Sequence, residues 1–142
     1  MGSFLIKSVS GGGSLEFLDC RVSDDEYRFF DYGVKLVDAN LSASTNVRHD
    51  MGDPAALFRR MAERWKGWDG ELVWGSIEGE LTLRFTQDRA GHVTIGVELR
   101  SGPHECNWSI RATIMAEAGQ LEDLARRAEA FFGELGSRTA GE

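Results

Sequence analysis

The sequence predicts an α+β fold: antiparallel β-sheet with a central helix, and a C-terminal helix packed on the apolar face. Three observations carry this. Several runs alternate apolar and polar residues with period two, two segments repeat apolar residues every three or four positions, and short Gly- and Asp-bearing turns join the β-like runs. At 142 residues the chain fits one domain. We expect it over residues 1–135, with 136–142, "GSRTAGE", as a flexible tail.

Two β-like runs open the chain, Phe4 to Val9 and Leu15 to Val22, joined by "SGGGS", where Gly11, Gly12 and Gly13 are expected to supply positive φ angles. An acidic turn follows, then runs from Tyr27 to Val37 and from Leu41 to Arg48 separated by "DAN". Gly33 inside the first suggests a bulge or bend. In the second, Leu41, Ala43, Thr45 and Val47 share one face and Ser42, Ser44, Asn46 and Arg48 the other, so one face is wet.

The period then changes. Asp53 fits a helix N-cap and Pro54 the first helical position, where a missing N–H costs nothing. Leu57, Phe58, Met61, Ala62, Trp65 and Trp68 form one apolar stripe, and Gly67 and Gly70 release the chain. His49 and Asp50, close to Asp53, look like a polar approach to this cap.

Next, Val73, Ile77, Leu81, Leu83 and Phe85 fall on odd positions and Trp74, Glu78, Glu80, Thr82 and Arg84 on even ones. They read as one long strand, or as two broken near Gly79. "DRAG" turns the chain into Val93, Ile95, Val97 and Leu99. A third run sets Cys106, Trp108, Ile110, Ala112 and Ile114 on one face. The result is a meander with one buried and one solvated face. Rhythm changes again near Ala118 and Gly119, after which Leu121, Leu124, Ala125, Ala128, Phe131, Phe132 and Leu135 form the stripe of a covering helix.

Net charge is -7, which argues against nucleic acid as a partner, because such binders concentrate Lys and Arg to displace phosphate counterions. An acidic body suits a basic protein. No stretch reaches the roughly 18 apolar residues of a membrane helix, so no membrane partner is expected. With no secretory cleavage pattern we expect the cytoplasm, and Cys20 and Cys106 as reduced thiols.

Candidate chemistry is sparse. His104 and Cys106, with His49 or Cys20, offer soft ligands, but their spacing fits no common zinc pattern, so no metal is expected. Glu78 and Glu80, two apart on a strand, would sit roughly 6 to 7 Å apart, near a glycosidase separation. Any exposed strand with two glutamates shares that geometry, and we assign no catalytic residue and no cofactor. Trp65 and Trp108 lie on core stripes. Trp68 and Trp74, in "WKGWDGELVW", either close the core edge or form an exposed anchor.

The tract "WDGELVWGSIEGELTLRFTQDRAGHVTIGVELR", followed by a strand and "AGQLEDLARRAEAFF", resembles small bacterial immunity proteins of the WapI type and a related uncharacterised bacterial domain family. The shared positions are Leu81, Leu83, Phe85, Asp88, Gly91, His92, Val93, Glu98, Leu99, Gln120 and Leu121. The resemblance implies an α+β fold and, for the immunity proteins, protection of a cell from its own toxin by direct binding. It covers about the last two thirds of the chain.

The expected function is therefore an immunity-like protein that binds and neutralises a basic toxin without catalysis, as a monomer or weak homodimer. The residues expected at the partner are Asp24, Asp25, Glu26, Asp31, Trp68, Asp69, Glu71, Trp74, Glu78 and Glu80. The competing reading is a small-ligand binder or enzyme using the solvated sheet face.

Overall fold

The computed structural model describes residues 2–23, 29–50, 54–102 and 107–133. The strands are β1 (Ser3–Lys7), β2 (Ser14–Val22), β3 (Phe30–Asp38), β4 (Leu41–His49), β5 (Leu72–Gly75), β6 (Leu81–Gln87), β7 (His92–Arg100) and β8 (Ser109–Glu117). They form two four-stranded sheets, β1-β2-β3-β4 and β5-β6-β7-β8, each an antiparallel meander in chain order. Helix α1 (Pro54–Glu63) links the sheets. After β8 a 3-10 turn (Ala118–Gln120) leads into α2 (Leu121–Ala128), which widens into a π turn (Glu129–Gly133). The expected α+β architecture is the one observed.

The sheets touch at both margins. Val9 N–H donates to Met115 O (2.9 Å) on one side, and Ile77 N–H donates to Arg48 O (3.4 Å) on the other. One apolar core lies between them. Phe58 of α1 joins it edge-on to Phe4 of the first sheet and to Phe85 of the second, at 5.5 and 5.4 Å between ring centroids. The C-terminal helix packs on the apolar face, and its π turn sets Phe131 and Phe132 against Phe17 and Tyr32. Phe4, Phe17, Phe58, Phe85 and Phe132 are all fully buried. Each contributes about 1.5 to 3 kcal/mol of transfer free energy, an upper bound because the unfolded chain already hides part of that area.

Alternation is followed closely in β4, β6 and β7, and the end of β8 sinks into the core at Ile114 and Ala116. Trp108, at the mouth of β8, is half-buried against that core. Four expectations are corrected. The bulge lies in β2 and not at Gly33: the register shifts between Leu18 and Arg21, so Asp19 and Cys20 together face Tyr32, and Asp19 takes a left-handed φ of 52°. That extra residue moves the buried positions from odd (Leu15, Phe17) to even (Cys20). Of the glycines in "SGGGS", only Gly11 has a positive φ.

The third correction is a swap of faces in β5. The tract from Val73 to Phe85 is a hairpin, which sets Trp74 opposite Leu83 and Leu72 opposite Phe85. Inward Leu83 therefore requires inward Trp74, and Val73 turns out to solvent; Ile77, in the turn beyond β5, is exposed as well. Fourth, α1 stops at Glu63, so Trp65 has left the helical stripe and is 56% exposed, with the Lys66 ammonium 5.5 Å from its ring. Asp53, Cys106, His104, Leu135 and the tail 136–142 lie outside the described residues.

Candidate partner-binding surface

The residues expected at a partner do not form one patch. Asp24, Asp25 and Glu26 lie outside the described residues. Trp74 is 8% exposed and Glu80 6%, so neither presents a surface. Glu80 is held at the β5–β6 turn, where Ser76 Oγ donates to its Oε1 (2.8 Å) and accepts from Leu81 N–H (3.1 Å). Glu78 is exposed in the same turn, so the two glutamates do not share a wet strand face. Trp68 is half-buried and its indole N–H donates to Phe85 O (3.2 Å), which makes it a core-edge residue.

Among the remaining acids, Asp31 is engaged by Arg48 (2.8 Å) and Glu71 by Arg84 (3.1 Å). Further arginines are spent in the same way: Arg111 on Glu98, Arg126 and Arg127 on Asp123, and Arg59 on Glu122 and Glu129. Exposed pairs of this kind add little stability, but they cancel local charge. Asp69 is exposed with no ion-pair partner among the described residues, and so are Asp38 and Asp50, neither of which the sequence assigns to a partner. Their positions carry the missed signal: Asp38 closes β3 at the "DAN" turn and Asp50 follows β4, so both flank the same strand.

The outer faces of the sheets carry two open depressions, each over a glycine in a central strand. One, of about 850 Å³, lies over Gly33 and is bordered by Asp19, Arg21, Asp31, Lys35 and Asn46. The other, of about 380 Å³, lies over Gly96 between Thr82, Arg84, Glu98, Arg111 and Thr113. Among the described residues no three His, Cys, Asp or Glu side chains are grouped to hold a metal ion, and no helix is long and apolar enough to cross a membrane.

His49, expected as a polar approach to the helix, instead belongs to the core at 2% exposure. Its ring stacks on Phe30 (4.9 Å), meets Trp74 edge-on (5.6 Å) and contacts Phe132 (5.7 Å). Nδ1 lies 2.9 Å from the Tyr32 hydroxyl oxygen, and buried Nε2 has no partner among the described residues. Burial pushes the imidazole down to about 4, against Asp50 and Asp31, which pull it up. The ring is thus neutral at pH 7 and its role is to join β4, β5 and the C-terminal π turn.

The positions singled out in the tract from Trp68 onward are architectural residue by residue. Leu81, Leu83, Phe85, Val93, Leu99 and Leu121 are core. Asp88 Oδ1 accepts from Ala90 N–H and His92 N–H, and its Oδ2 lies 2.9 Å from His92 Nδ1. Gly91 takes the positive φ (86°) that completes this turn. Glu98 pairs with Arg111, and the Gln120 side chain accepts from Glu117 N–H at the entry to α2.

Residues 6–135 match the family described as "Family of unknown function (DUF6228)", and the chain belongs to it. No curated protein and no solved structure matches.

Proposed function

We propose that this member of a family of unknown function is an immunity-like binding protein that covers a basic toxin and neutralises it without catalysis. The observation that carries the reading is the distribution of charge. At a net charge of -7, several arginines are tied to carboxylates, while Asp38, Asp50 and Asp69 stand exposed without an ion-pair partner among the described residues. Such a surface steers a basic protein toward it and opposes a polyanion. The resemblance to WapI-type immunity proteins points the same way. The site differs from the one the sequence suggested: the buried Trp74 and Glu80 drop out, and Asp38 and Asp50 enter.

The depression over Gly33 favours a second reading, a small-ligand site, because its volume falls within the ~300 to 1,000 Å³ of ligand pockets. It lies on the open face of a sheet, however, and such a face cannot enclose most of a ligand's surface. The experiment that separates the readings is co-purification of the tagged chain with the products of adjacent genes. A stoichiometric complex with a basic protein supports binding. Recovery of the chain alone from cells that make every neighbouring product overturns it.

A further inference from the structure

Two sheets have four edges, and three of them are guarded. At β1, the Arg127 guanidinium donates to Leu5 O (2.6 Å). β5 is only four residues long, and the chain just beyond it is spent on Arg48. At β8, Met115 is bonded on both sides, its O by Val9 N–H and its N–H by Ser8 Oγ (3.0 Å), and Arg111 projects from mid-strand with its side chain 84% exposed. Covering, shortness and charge are the ordinary defences of an edge.

The fourth edge, β4, lacks them from Ser42 to Asn46. Arg48 O accepts from Ile77, so the backbone of Arg48 points away from β3. Alternation then turns the N–H and C=O groups of Ser42, Ser44 and Asn46 outward too. All three residues are exposed, and none of these backbone groups has a partner among the described residues. Their side chains are small and uncharged, with no proline and no bulge in this stretch.

We infer that β4 is the docking edge for an extended, lysine- or arginine-bearing segment of the protein partner, which adds as a fifth strand. The inference rests on the proposed function for the partner's basic character. Main-chain hydrogen bonds to Ser42, Ser44 and Asn46 supply affinity in this mode. Asp38, which ends β3 opposite Leu41, and Asp50, which follows His49, are exposed beside the two ends of the strand and supply the preference for positive charge. A second copy of this chain would compete for the same outward groups of Ser42, Ser44 and Asn46, and self-association is therefore scored as an opposing outcome of the test.

The test uses the full chain and a synthetic peptide of alternating threonine and valine with lysines at both ends. Amide shifts and hydrogen exchange are followed by NMR. The expected result is protection of Ser42, Ser44 and Asn46, binding about tenfold or more weaker with glutamates replacing the lysines, and none when alternate peptide amides are N-methylated. Ser44→Pro, which deletes one outward N–H at an edge that tolerates proline, should also stop binding. If that variant unfolds, the N-methylated peptide still decides. Equal binding by the N-methylated peptide, shifts centred on Gly33 or Gly96, no binding, or self-association of the chain through β4 would each overturn the proposal. A basic partner retained by a folded Ser44→Pro chain sinks the edge and spares the proposed function; peptide docking at β4 with no basic partner in the cell does the reverse.

Discussion

The hydroxyl oxygen of Tyr32 and Nδ1 of His49 lie 2.9 Å apart inside a wall of Phe30, Trp74 and Phe132. Either tautomer of the neutral ring leaves Nε2 without a partner among the described residues, so this contact bears much of the ring's polar satisfaction. Tyr32→Phe should cost about 1 to 3 kcal/mol, the range for stranding a buried polar atom. Urea unfolding measures it, and a loss well under 0.5 kcal/mol would remove the bond from the account of the core.

The same ring sets a pH dependence. Its folded pKa, about 4, lies below the ordinary 6.5, so the unfolded chain takes up the proton first. Stability from the neutral ring is fully present above about pH 6.5 and lost as pH falls toward 4, by about 2 to 3 kcal/mol. His92 shifts the opposite way, raised by its hydrogen bond to Asp88, and its contribution disappears as pH rises through that raised value. NMR titration should find one imidazole titrating near 4 and another above 6.5. A normal titration of His49 would contradict its burial.

Packing gives a contrast between two aromatic residues that share apolar helical stripes in the sequence. Phe132 is fully buried and Trp65 is 56% exposed. Phe132→Ala should cost about 3 to 5 kcal/mol and Trp65→Ala within about 0.5 kcal/mol, read from chemical denaturation of the two variants.

How far the sequence revealed the fold depended on whether one residue's surroundings decided its face. Leu81 to Phe85 and Val93 to Leu99 repeat strictly, and their faces were legible because a strand has period two. Trp74 falls on the polar parity only when one alternation is carried through a hairpin, and cross-strand pairing with Leu83 selects the core-edge alternative for it. The bulge at Asp19 was invisible for a similar reason: an inserted residue shows only in the register against β3. The candidate site was less legible still. Glu80 and Glu71 look alike in sequence, and only the fold buries the first under Ser76 and ties the second to Arg84.

The turn at Gly91 tests the architectural reading of the shared pattern. With a φ of 86°, a Cβ there is strained, and Gly91→Ala should lower stability by about 1 kcal/mol or more. Thermal melting of the variant measures this, with the partner-binding surface left untouched.

Growth of cells that make the basic protein encoded beside this chain tests the proposed function most directly, with and without the chain and with an Asp38→Asn, Asp50→Asn, Asp69→Asn variant. The expected result is growth restored by the native chain and largely lost with the triple variant, while the purified variant melts like the native protein. Growth unchanged by the native chain would contradict an immunity role, and full protection by the triple variant would contradict the assignment of these carboxylates to the partner.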